Sequence, residues 1–116
     1  MQYLLLIYND SEKMKGFSKA EHEVFAKDYG EFNAFVQKSG SLRGIATYPA
    51  GVTTVRVNEG KTLTMDGPFA EAREGVGGFC LIEAPDLDAA IKIAERIPSA
   101  RAGAVEIRPV MVHTSA

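Results

Sequence analysis

Six consecutive residues near the start, Tyr3-Leu4-Leu5-Leu6-Ile7-Tyr8, put apolar side chains on both faces of any strand they form, because neighbouring side chains on a strand point to opposite sides. A fold that contains this segment must cover it twice. It reads as a central strand bounded by the turn formers Asn9 and Asp10. Phe79-Cys80-Leu81-Ile82 makes the same demand later in the chain, within a strand expected from Phe79 to Ala84.

Between and after these strands the pattern changes period. Ser18 with Glu21 three residues on forms a capping box, and Phe25, Tyr29, Phe32 and Val36 follow at helical spacing until Gly40 stops the helix. A short strand is expected from Leu42 to Tyr48. A hairpin of Val52–Val57 and Lys61–Met65 comes next, with Val55, Val57, Leu63 and Met65 sharing one face. Its expected connection is a three-residue turn, Asn58-Glu59-Gly60, with Gly60 left-handed. Asp66-Gly67-Pro68-Phe69 then opens a charged loop or helical turn that ends at Gly75, Gly77 and Gly78, a glycine cluster that marks a bulge or a close backbone approach. Asp86 caps a second helix with Leu87, Ala90, Ile91, Ala94 and Ile97 on one stripe, ended by Pro98, and a last strand runs from Ala104 to about Val112.

This order is that of an α+β, ferredoxin-like split βαβ fold: an antiparallel sheet with two helices on one face and an inserted β-hairpin. One domain over residues 1–116 is expected, since a chain of 116 residues is too short for two independent cores. Two helices cover only one sheet face. Leaving the other in water would expose more than the ~300–600 Å² apolar patch usual for monomers. The simplest cover is a second copy, giving a homodimer with paired sheets, a dimeric α+β barrel; a long loop folded across the sheet is the alternative.

Composition narrows the function. Lys and Arg number 13 against 15 Asp and Glu, with no basic block to follow a phosphate backbone, so nucleic acid is not an expected partner. No apolar run approaches the ~18 residues of a membrane span and no signal sequence is apparent, which points to a cytoplasmic protein. Cys80 is the single cysteine and reads as a buried thiol; His22 and His113 lack partners at metal-ligand spacing, so neither a metal nor a cofactor is expected. Gly75-Val76-Gly77-Gly78 lacks the lysine and spacing of a phosphate-binding loop.

Three segments carry a resemblance: Tyr3–Tyr8, then Asp66-Gly67-Pro68-Phe69-Ala70-Glu71 leading into Gly77-Gly78-Phe79, then Ile97-Pro98-Ser99-Ala100 with Val105-Glu106-Ile107-Arg108-Pro109-Val110. Together they resemble the DGPF-type branch of the YCII-related proteins over nearly the whole chain. The resemblance implies a ferredoxin-like domain that dimerises through its sheets, members mostly of unknown function, and a sigma-factor context for some, hence a regulatory setting. The wider group carries a His and Asp pair proposed as acid and base. The matching positions here hold Tyr29 and Ile97, neither a competent general base near neutral pH.

Candidate site residues follow, each with a plainer reading beside it. Asp66, at a strand end before a rigid turn, is a candidate catalytic carboxylate, or else bonds its own turn. Arg108 and Glu106 should face away from the helices, where Arg108 clamps an anion or pairs with Glu106. Arg101 neutralises a ligand anion or bonds the last carbonyls of the second helix. Tyr29 is a ligand contact or a core aromatic, and Glu71 with Arg73 and Glu74 forms a lid or a solvated cluster. Three functions remain open: a homodimer that binds a small molecule in a regulatory or accessory role, a cofactor-independent lyase or isomerase with Asp66 as base, and a protein-interaction module.

Overall fold

The computed structural model describes residues 1–47, 51–67 and 74–113. In chain order the elements are β1 (Gln2–Asp10), α1 (Ser11–Lys15), α2 (Lys19–Lys38), β2 (Leu42–Thr47), β3 (Thr53–Asn58), β4 (Lys61–Asp66), β5 (Glu74–Glu83), α3 (Leu87–Ala94), α4 (Ser99–Ala102) and β6 (Gly103–Val110). Four strands form one antiparallel sheet in the order β2-β5-β1-β6, and β3 with β4 forms a separate hairpin. This is the expected α+β, ferredoxin-like arrangement, with β1 central.

Alternation along β1 sets the layers. Tyr3, Leu5 and Ile7 are buried, and they join Cys80 and Ile82 of β5 in a core closed by Phe32 and Val36 of α2 and by Ala90, Ile93, Ala94 and Ile97 of the α3 region. Leu4 and Leu6 point the other way, level with Leu81 and Phe79 of β5, and remain partly accessible. The capping box of α2 is present: the Ser18 side chain accepts from Glu21 N–H and the Glu21 side chain from Ser18 N–H, which holds the Glu21 carboxyl below its ordinary pKa.

Several boundaries differ from expectation. Asn9 and Asp10 extend β1, and Asp10 caps the short helix α1 by accepting from Glu12 and Lys13 N–H at 3.1 and 3.2 Å. The glycines after the charged loop lie inside β5, which begins at Glu74; the ladder pairs Ile7 with Gly78 and Tyr8 with Val76, leaving Gly77 as the bulged residue. On α3 the stripe is rotated: Leu87 and Ile91 are exposed while Ile93 is buried, because the helix packs through Ala90, Ile93 and Ala94. That helix ends at Ala94, and Pro98 instead stands at the start of α4. The end expected at Tyr48 for the preceding strand lies outside the described residues.

The hairpin shows the largest correction. Its connection has two residues, Glu59 and Gly60, both at positive φ (49° and 76°), and Asn58 pairs with Lys61. Shortening the loop by one residue slips the register by one. Val55 therefore lies opposite Thr64, and Leu63 opposite Arg56, so the valines and the Leu63/Met65 pair occupy opposite faces rather than one.

A Cβ on Gly78 would stand 2.6 Å from the Ala46 carbonyl oxygen of β2, whereas one on Gly75 would meet nothing within 4 Å. Gly78→Ala should therefore cost ~2–3 kcal/mol through displacement of paired backbone, while Gly75→Ala stays within ~0.5 kcal/mol of wild type. Urea midpoints of the two variants measure this directly.

Candidate functional site

The bulge at Gly77 opens a cleft of about 360 Å³ between α2 and the sheet, lined by Ile7, Asn9, Tyr29, Asn33, Ile45, Ala46, Thr47 and Gly77. The polar groups reach it by simple periodicities. Asn9 follows Tyr3, Leu5 and Ile7 on the helix-facing side of β1, so the last residue of an apolar row is polar where the sheet meets the cleft. Tyr29 and Asn33 are four residues apart on α2 and share one face. Gly77 leaves room for the Asn9 carboxamide, whose Nδ2 occupies the space a Cβ would take.

A hydrogen-bonded chain runs along the cleft wall. Ser99 Oγ, fully buried, donates to Asn9 Oδ1 at 2.6 Å. A serine hydroxyl has one proton, so the 2.5 Å contact between Tyr29 Oη and Ser99 Oγ has Tyr29 as its donor. Burial raises the Tyr29 pKa above its ordinary value, only partly offset by Ser99, so the phenol stays protonated through neutral pH. Asn33 Oδ1 is buried with no hydrogen-bond partner among the described residues. The lining carries no charged side chain among the described residues. It is suited to hold a small molecule through hydroxyl and carboxamide groups against apolar walls.

Of the sequence-derived candidates that the structure describes, Tyr29 alone lines this cleft. Arg108 and Glu106 face away from the helices as expected, but there they pair with each other, Arg108 Nε donating to Glu106 Oε1 at 2.5 Å, which raises the Arg108 pKa. The sheet separates them from Tyr29. Arg101 lies on α4 rather than against the end of α3; its guanidinium pairs with Asp28 of α2, and its carbonyl accepts from Lys13 Nζ at 3.1 Å. Asp66 is exposed at the end of β4, outside the cleft lining. Glu71 and Arg73 lie outside the described residues. Cys80 is a core thiol, its pKa pushed up to about 11 by burial, which removes it as a nucleophile near neutral pH.

Asn9, Asn33 and Ser99 were not singled out by sequence reasoning. The i, i+4 spacing of Tyr29 and Asn33 was a usable signal for one of them. Ser99 lies in the segment Ile97-Pro98-Ser99-Ala100 that carries the resemblance, but its partner is not legible there, because it meets Asn9 across 90 residues of chain. Among the described residues no group of three or more His, Cys, Asp or Glu is placed to hold a metal ion, and no helix is long and apolar enough to cross a membrane.

Ser99→Ala should destabilise the fold by ~1–3 kcal/mol, since it strips a donor and an acceptor from a buried chain, and Tyr29→Phe by only ~1 kcal/mol. Paired denaturation curves with the double variant test the chain: because both changes break one link, the double should cost less than the sum of the singles.

Comparison with known proteins gives the family and a likeness of fold. A family model described as the YCII-related domain matches residues 1–114. An uncharacterized protein of Rhizobium meliloti (strain 1021) is 33% identical over 117 residues, covering 97% of this chain and 94% of the relative. Among solved structures, 5-chloro-2-hydroxyhydroquinone dehydrochlorinase from Burkholderia phenoliruptrix, in complex with 2,5-dihydroxybenzoquinone, is similar at a TM-score of 0.51 over 96% of this chain and 94% of that one. Its sequence is 14% identical, a likeness of fold alone.

Proposed function

The chain belongs to the YCII-related family, and from that premise we propose that it is a homodimeric small-molecule-binding protein with a regulatory or accessory role, its ligand held in the cleft between α2 and the sheet. The observation that carries this reading is the Tyr29–Ser99–Asn9 hydrogen-bonded chain on the wall of an otherwise largely apolar cleft. Buried polar groups arranged in series fix a side chain in one orientation, which is what recognition of a small ligand requires. The volume, about 360 Å³, suits a ligand of modest size. The dimer is supported by Leu4, Leu6, Phe79 and Leu81, which share the sheet face away from the helices.

A second reading, a cofactor-independent lyase or isomerase, draws support from the same chain. Tyr29, whose hydroxyl lines the cleft, is the proton donor in that reading in place of Asp66, which stands outside the cleft lining; its proton turns from Ser99 to the bound molecule and solvent restores it. The dehydrochlorinase of similar fold gives it a precedent in chemistry on small oxygenated rings.

Native mass spectrometry of untagged protein purified from cells tests the first reading. A dimer carrying a retained small molecule is expected, and Tyr29→Phe should lower retention ~10-fold with the fold intact. Protonated phenol is the form that binds, and its folded pKa is raised, so retention should hold from about pH 6 to pH 9 and fall only as pH rises beyond ~10. Bare wild-type protein, or undiminished retention by Tyr29→Phe, overturns the binding reading. Turnover of the released molecule by wild type but not by Tyr29→Phe favours the enzyme.

A further inference from the structure

Among the described residues, the β3–β4 hairpin is the element with the least of its surface covered. Every residue along its two strands is exposed except Thr54, which is half-buried. Val55 is 59% exposed and Val57 69%, against 51% for Leu63 and 49% for Met65. A two-stranded hairpin alone is marginally stable in water at best. An arm built for solvent would keep one face polar, but the one-residue register slip gives this one apolar residues on both. The radius of gyration, 16.5 Å, exceeds the ~13 Å of a compact chain this long, in keeping with a projecting arm.

The four-stranded sheet has a complementary shortfall. Four strands spaced ~4.8 Å apart and ~27 Å long present a face of ~500 Å² in flat projection, part of it taken up by the charged Glu106–Arg108 pair, where each partner of a stable interface buries ~800 Å² of accessible surface. One face of the hairpin, two strands ~20 Å long, adds ~200 Å² and closes most of that gap. We propose that the hairpin is an intersubunit arm, packing Val55, Val57, Thr62 and Thr64 against a second copy of this chain and completing an interface begun by the facing sheets. This rests on the homodimeric reading above. A second copy fits because a two-fold contact offers each protomer both an arm to bury and an uncovered sheet beside it, and the pair closes on itself. The valine face is the one assigned because its large apolar residues are the more open, while Thr54 on the other face is already half-buried.

Sedimentation equilibrium on the full chain tests the arm. Wild type should dimerise at micromolar concentration, and Val55→Asp with Val57→Asp should raise the dimer dissociation constant ~30-fold or more with an unchanged circular dichroism spectrum. If aspartates unravel the hairpin, Val55→Thr with Val57→Thr keeps the β-branched shape while removing apolar area, and should still weaken the dimer ~5-fold. A folded aspartate variant that dimerises as tightly as wild type overturns the arm and leaves the dimer standing. A wild-type chain that stays monomeric at ~100 μM, far above the dissociation constant of a standard-sized interface, overturns both.

Discussion

Hydrogen bonding of β1 on both edges, to β5 and to β6, is the interaction on which the other elements depend. It places a strand that is apolar in both directions at the centre of the sheet, where its alternation decides which side each helix must cover. Tyr3, Leu5 and Ile7 draw α2 and α3 onto one face, and Leu4 and Leu6 leave the opposite face wanting cover. Burying either set is worth ~1.5–3 kcal/mol per large side chain, so no other register of β1 competes.

The cleft is a local consequence of one irregularity in that ladder. An uninterrupted pairing of β1 with β5 would run regular strand past Asn9; the bulge at Gly77 instead leaves room for the Asn9 side chain. Asn9 then meets Ser99, brought in by the α4 turn, and Ser99 meets Tyr29 from α2. Side chains from three elements distant in sequence thus meet beside a position that has no Cβ. The neighbouring Gly78 has a different part: it lets β2 approach closely and so sets the wall that carries Ile45 to Thr47.

Much of the fold was legible from the order of periods. The central strand, the capping box at Ser18 and Glu21, the glycine bulge and the outward direction of Glu106 and Arg108 all follow from local pattern and from the chemistry of one or two residues. The rotated face of α3 was not legible, because Leu87, Ile91 and Ile93 are equally apolar and only packing against the sheet chooses among them. The hairpin register was missed for a similar reason. Glu59 adopts a left-handed conformation that its residue type does not advertise, and one residue of loop length turns over a whole face.

By itself, the sequence determined the fold class, the centrality of β1 and the demand for cover on two sides, since these depend on side-chain alternation and capping, which act over a few residues. The site was decided by tertiary structure. Tyr29 was recognisable as a candidate, but its hydroxyl acquires direction only from Ser99 and Asn9, 70 residues ahead and 20 behind in the chain. Arg108 was placed on the correct face and yet stands on the far side of the sheet from Tyr29, a relation no local period encodes. Hydrogen-bond partners so far apart are selected by how sheet and helices pack, and the chain shows them only once that packing is complete.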